Sequence, residues 1–115
     1  MANTFKVVTK AGVTSADVIY TVAGSTTTVI LGLILGNTTS ASINATVTLG
    51  SDTANRAGAN NEANQAVELI TATPIPGNSS LELLSGNKVV METTDTISVT
   101  GTAATDVVLS IMEIT

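Results

Sequence analysis

The chain has no histidine, no cysteine and no tryptophan, and its aromatic content is 2%, namely Phe5 and Tyr20. Each absence removes a class of chemistry. Without cysteine there can be no disulfide, no thiolate nucleophile and no Cys-zinc site. Without histidine the side chain best suited to proton transfer near neutral pH is missing. Basic residues are few: Lys6, Lys10, Arg56 and Lys88 are scattered through a chain of net charge −5. Nucleic-acid binding needs a cationic patch, usually with stacking aromatics, so no nucleic-acid partner is expected. The longest apolar run, residues 29–35, contains Gly32 and falls far short of a membrane span, so no membrane partner is expected. The first residues lack a charged region followed by an apolar core. Synthesis in a cytoplasm without secretion is the expectation. Asn-x-Ser/Thr matches at Asn37, Asn44 and Asn78 are chance products of an Asn-, Ser- and Thr-rich chain.

What is present is β-branched and small. At 115 residues the length suits a single domain, residues 1–115, burying about two-thirds of its unfolded surface. Hydrophobic residues make up 43%, so the core must come from Val, Ile, Leu and Ala. β-branched side chains lose χ1 freedom in helices and pack well on pleated surfaces, which favours strands.

The alternation of apolar and polar residues places those strands. Residues 4–8 put Phe5 and Val7 on one face. Residues 17–22 put Val18, Tyr20 and Val22 together, with Asp17, Ile19 and Thr21 opposite. Residues 26–35 put Val29, Leu31, Leu33 and Leu35 on one face and Ile30, Gly32 and Ile34 on the other, the pattern of a central strand covered on both sides. Ile43, Ala45, Val47 and Leu49 alternate as in a half-buried antiparallel strand. Further strands are expected at 67–73, 81–84, 88–92, 96–100 and 106–114. Turns fall at Ala23-Gly24-Ser25, at Gly36-Asn37, at 74–80 and at 101–105. About eight short, evenly spaced strands predict an all-β fold, an antiparallel β-sandwich of jelly-roll-like or Ig-like form.

Residues 50–66 break the rhythm, being rich in Asn, Ala and Gly and nearly free of large apolar groups. Loops on a rigid β scaffold carry recognition more often than the scaffold does. Asp52, Arg56, Asn60, Asn61 and Glu62 are therefore the candidate subunit-contact residues, with a short helix from residue 61 as the alternative local structure.

Catalytic arrangements are not legible. Ser and Thr hydroxyls are plentiful, but Lys6, Lys10 and Lys88 sit in polar or turn-like settings and offer no activated Ser–Lys pair. Asp95 with Asp106, or Glu82 with Glu92, could pair only if folding joined them. Asp95 in a turn and Asp106 at a strand start are better explained by carboxylates bonding backbone amides. The segment from Ser51 to Gly58 fails as a calcium loop, because Ala54 and Arg56 stand where oxygen ligands are needed. No phosphate-binding glycine loop occurs either. No catalytic residue, cofactor or metal is expected. Glu113 lies at the end of an apolar strand and Lys88 beside one. Exposed edges are the expected setting, with an intersubunit salt bridge as the sharper alternative for Glu113.

Three stretches carry a family resemblance. They are Pro74-Ile75-Pro76-Gly77-Asn78-Ser79-Ser80-Leu81-Glu82-Leu83-Leu84, then Gly86-Asn87-Lys88-Val89-Val90-Met91-Glu92, and Asp95-Thr96-Ile97-Ser98-Val99. Together with the closing Asp106-Val107-Val108-Leu109-Ser110-Ile111-Met112-Glu113-Ile114, this wording resembles small virion structural proteins of tailed bacteriophages, of the cyanophage and marine-phage type. The resemblance implies a non-enzymatic component of the virion. Its lead form is a capsid decoration or cement protein that bridges capsid subunits. The major capsid protein or other virion proteins would be its partners, and a homo-oligomer, with a trimer favoured, its working state. A tail, neck or baseplate component is the alternative. A carbohydrate-binding β-sandwich is remoter, since such sites usually need aromatic platforms.

Overall fold

A computed structural model describes residues 2–51, 65–84 and 86–115, and the described residues form strands and no helix. Nine strands follow in order: β1 (Asn3–Val13), β2 (Asp17–Thr21), β3 (Thr27–Asn37), β4 (Ile43–Gly50), β5 (Ala66–Ile75), β6 (Ser80–Leu83), β7 (Val89–Met91), β8 (Thr96–Gly101) and β9 (Thr105–Ile114). The first sheet runs β1-β9-β3, with β6 and β7 both beside β3. The second runs β2-β8-β4-β5. All pairings are antiparallel.

This order decides between the two expected forms. An Ig-like sandwich keeps its first two strands side by side in one sheet. Here β1 and β2 lie in different sheets, and the pairs β1·β9, β2·β8, β3·β6/β7 and β4·β5 nest like one long hairpin rolled up. That is the jelly roll. The roll has eight strand positions, and the ninth strand arises because one position is split. β6 covers Leu33–Gly36 of β3 and β7 covers Thr28–Ile30. Between them Leu84 (φ 62°) and Gly86 (φ 82°) turn the chain, and the Asn87 amide donates to the Leu84 carbonyl at 3.2 Å.

The core is aliphatic. Ile30, Leu33 and Leu35 of β3 and Val107, Leu109 and Ile111 of β9 meet Ala45 and Val47 of β4 and Ile97 and Val99 of β8, all essentially inaccessible. Each of the Val, Leu and Ile side chains contributes about 1.5–3 kcal/mol of burial. Strict alternation holds along β4 and β9 but breaks along β3. There the buried set is Thr28 and Ile30, then Leu33, Leu35 and Asn37. The register against β9 slips between Ile30 and Gly32, so Leu31 is an extra residue that exchanges the two faces. Ile30 thus joins Leu33 and Leu35 inside, whereas unbroken alternation placed it opposite them. Nor is β3 covered on both sides, since Ile34 is 41% exposed. A second slip between Val18 and Tyr20 turns Val18 outward while Tyr20 faces the interior beside Ile97.

Pro74 lies inside β5, opposite Asn44, rather than in the turn that follows. β5 is an edge strand, where a missing N–H costs no ladder bond. The real corner, residues 76–79, packs on the 37–41 corner. Asn78 N donates to the Thr39 carbonyl at 2.9 Å, and a Cβ at Gly77 would overlap the Ser40 carbonyl. Glycine is required there by this close approach.

Candidate interaction face

Directly opposed residues of an antiparallel pair project to the same side, so the pairing assigns faces. In the first sheet Phe5 pairs with Met112, Met112 with Val29, and Val29 with Val90. The neighbouring positions Ile111 and Ile30 point into the core, so this row crosses the outer surface. A second outer row joins Thr9, Val108, Ile34 and Glu82. Between the rows lie Val7, Ser110 and Gly32. Phe5 is 72% exposed, Val7 63%, Val90 62%, Ile34 41% and Val108 36%. Most of the large apolar side chains exposed among the described residues therefore share one sheet face. The charged strand positions on that face are Asp106 and Glu82, both toward the Gly36 end. Lys88 stands just before β7 at the lateral edge and is exposed. A contiguous apolar patch of this kind on a soluble domain marks an interaction site more often than chance.

A polar cluster closes one end of the sandwich. The Tyr20 hydroxyl of β2 contacts Thr28 Oγ1 at 2.7 Å and donates to Glu113 Oε2 at 2.6 Å. Lys6 Nζ lies 2.7 Å from Glu113 Oε1. Register explains the meeting. Thr4, Glu113 and Thr28 are directly opposed across β1, β9 and β3, and Lys6 is two residues along β1 on the same inner face. Bonds from Lys6 and Tyr20 hold the Glu113 carboxyl below its usual range. Burial, reinforced by the adjacent carboxylate, pushes the Tyr20 phenol up to about 12. At neutral pH the carboxylate is thus charged and the phenol neutral, with neither poised to exchange a proton. The cluster acts as a staple between the two sheets.

Glu113 therefore does not occupy an exposed edge. Its side chain is 14% exposed, β9 is an interior strand, and its cation is Lys6 of the same chain. Lys88 is exposed as expected. Asp95 is buried, and its Oδ2 accepts the Glu92 amide at 3.0 Å within the turn. Asp106 also bonds an amide, that of Gly12 at 3.0 Å, on a different strand rather than nearby in sequence. This bond sits at the register slip of β1 between Lys10 and Val13, where Gly12 has φ 68°. Asp95 precedes β8 and Asp106 lies at the opposite end of the sandwich, so folding does not pair them. Among the described residues no group of three or more acidic side chains gathers as a metal site. Among the same residues no helix is long and apolar enough to cross a membrane.

The loop candidates Asp52, Arg56, Asn60, Asn61 and Glu62 lie outside the described residues. Their attachment points are paired, Gly50 opposite Ala66, beside Thr96 of β8. Two features escaped the sequence reading. One is the Tyr20–Glu113–Lys6 staple, whose signal was a lone acid in an apolar strand. The other is Asn37, read only as a turn residue, which is buried at 3% exposure. Its Nδ2 donates to the carbonyls of Ala41, Ile75 and Pro76 at 2.8–3.1 Å, and its Oδ1 accepts from the Thr39 amide at 2.9 Å.

Compared with family models, curated proteins and solved structures, the chain finds no match. The fold and the face together define a class, a jelly-roll β-sandwich with an apolar sheet face turned to solvent.

Proposed function

We propose that this protein is a non-enzymatic structural component of a tailed-phage virion, and in its most specific form a capsid decoration protein that bridges neighbouring capsid subunits. The observation that carries the reading is the outer face of the β1-β9-β3 sheet, with Phe5, Val7, Val90, Ile34 and Val108 exposed together. A particle protein must stay folded alone and offer a surface that finds a partner many times over, and repeated weak contacts on a lattice sum to strong attachment. Three further points support it. The stretches that resemble phage virion proteins span the end of β5 and then β6 to β9, of which β6, β7 and β9 lie in the sheet that carries this face. Two of the four sheet edges are blunted, β5 by Pro74 and register slips, and β6 and β7 by being short. The Glu113 carboxylate of the Tyr20–Glu113–Lys6 cluster is committed to an internal ion pair rather than to proton transfer.

The test is made on purified particles. The protein should co-purify with them in the hundreds of copies per particle that a capsid lattice requires. Particles stripped of it should lose resistance to heat and osmotic shock and regain it on re-addition. A handful of copies, in multiples of three or six, would move the protein to the tail or neck. Absence from particles sinks the reading.

A further inference from the structure

We propose that β1 pairs antiparallel with β1 of a second copy of this chain, joining the two β1-β9-β3 sheets edge to edge about a two-fold axis perpendicular to them. The contact is at the edge of the sheet rather than on its outer face, and it does not depend on the virion reading.

The hydrogen-bond phase of β1 shows which of its backbone groups are available. Ala2 and Thr115 exchange both backbone bonds, at 3.1 and 3.0 Å. In an antiparallel ladder such bonded pairs alternate with unbonded ones. Following the register, Thr4, Lys6, Val8 and Lys10 bond β9, while the N–H and C=O groups of Asn3, Phe5, Val7 and Thr9 point away from it. Among the described residues β1 pairs with no other strand. Phe5 and Val7 are accordingly far more exposed than Val108 and Ile34, which lie on interior strands of the same face. The register is unbroken from Asn3 to Lys10, and that stretch contains neither proline nor glycine. The other edges differ. β5 has Pro74 and register slips, β6 and β7 are four and three residues long, and β2 offers five residues interrupted by a slip. Among the described strands β1 therefore presents the long row of unpaired groups to which another strand adds.

Three features select a second copy as that strand. First, β1 is complementary to itself. A two-fold pairing that sets outward groups opposite outward groups can be centred on Val7, with residues 4–10 of the two copies overlapping. It opposes Val7 to Val7 and Phe5 to Thr9 on the outer side, and Lys6 to Val8 and Thr4 to Lys10 on the inner. No like charges stand directly opposite, an arrangement that would weaken a cross-strand pair. Second, the lysines that would guard an edge are turned to acids of their own chain, Lys6 to Glu113 at 2.7 Å and Lys10 to Asp17 at 3.5 Å. Third, the pairing closes. The joined sheet ends on both sides at β6 and β7, whose shortness stops further addition. The assembly is a dimer rather than the trimer that the sequence resemblance favours.

Proline substitution tests the edge directly. The Val7 N–H faces away from β9, so Val7→Pro removes no bond of the β1–β9 ladder, and edge strands tolerate proline at such positions. In the pair it deletes the bonds nearest the axis. Sedimentation equilibrium of the purified protein should give twice the chain mass, and Val7→Pro should raise the dissociation constant at least tenfold. Phe5→Pro, at the next outward N–H, should do the same and serves if Val7→Pro impairs folding, which far-ultraviolet circular dichroism reports. Val90→Glu, on the outer face at the opposite edge of the sheet, should leave the dimer intact. Amide hydrogen exchange followed by NMR gives an independent readout. The Phe5, Val7 and Thr9 amides should exchange slowly in the dimer, and those of Phe5 and Thr9 should exchange as freely as exposed loop amides in Val7→Pro.

A protein that stays monomeric at millimolar concentration overturns the inference, as does a trimeric mass. So does a dimer that survives both proline variants, that Val90→Glu dissociates, or whose Phe5 and Val7 amides exchange freely, because each places the contact elsewhere. A monomer that is nonetheless abundant on particles overturns the pairing alone and leaves the virion role standing. A β1-paired dimer found on no particle does the reverse.

Discussion

Replacing Asn37 should be among the most damaging single changes in this protein, although the residue lies at the end of a strand and far from the centre of the core. Its amide bridges the 37–41 corner to the end of β5. Asn37→Leu keeps the branching and number of side-chain heavy atoms and removes every polar contact of the side chain. Not all partners suffer equally. The Ala41 carbonyl still accepts from Thr39 Oγ1, and the Pro76 carbonyl still accepts from Ser79 N and Oγ. The Ile75 carbonyl and the Thr39 amide lose side-chain partners in a region with little access to water. A buried group stripped of its partner costs about 1–3 kcal/mol, so the two together cost about 2–6 kcal/mol, with about 3 as the working value. In a domain of this size 1 kcal/mol moves Tm by about 4 °C, so the midpoint should fall by about 12 °C. Urea unfolding should show a lower midpoint at unchanged slope. Asn37→Asp adds a check of sign. Its second oxygen would face three carbonyls, so the carboxyl favours the protonated form and its folded pKa lies above the unfolded value. The variant should therefore hold up best in acid, and lose stability as pH rises through about 4 and beyond. A shift of less than about 3 °C for Asn37→Leu, or a pH profile of Asn37→Asp parallel to that of the parent, would refute the clamp.

Gly77→Ala should destabilise by at least about 2 kcal/mol because its methyl would meet the Ser40 backbone, while Gly24→Ala, with open space around it, should change stability by less than about 0.5 kcal/mol; calorimetry compares the two. Glu113 has a depressed folded pKa, so its contribution is present above the unfolded value near 4.3 and is lost as pH falls through the lower folded one. Glu113→Gln should accordingly flatten the acid limb of the stability curve, and an unaltered limb refutes the ion pair with Lys6. Tyr20 is the single tyrosine and there is no tryptophan, so near-ultraviolet phenolate absorbance reports it alone. It should titrate near 12, with its stabilisation intact below pH 10 and lost as pH rises toward 12; titration at the ordinary value of about 10 would contradict the buried hydrogen bond to Glu113.

Much of the fold was legible in the chain. Alternation of Ile43, Ala45, Val47 and Leu49 marked β4 and its inner face, because polar residues at the intervening positions leave only one burial pattern. β3 was found but its faces were not, since an extra residue at Leu31 reverses parity and leaves no trace in a run where every position is apolar or glycine. Val18 was grouped with Tyr20 for the same reason. Glu113 looked like an edge charge because a terminal acid gives no sign that Lys6, on a strand more than a hundred residues earlier, sits diagonally across from it.

The exposed face shows the same division. Phe5 and Val7 were correctly placed on one side of the first strand, yet apolar residues on one side of a strand read as core. Only the pairing with β9 turned them outward, because Lys6 and Val8 share the side of Ile111 and Leu109. What the amino-acid sequence determined by itself was class and composition: an all-β, aliphatic, Cys- and His-free domain with its corners at glycine, proline and asparagine. Those properties follow from local sterics and periodicity, which act over a few residues. What only the tertiary structure decided was the nesting of strands into a jelly roll, the parity of β2 and β3, the clamp at Asn37 and the side on which the apolar surplus lies. Each of these depends on which strand lies beside which, and that is settled by packing between residues far apart in the chain.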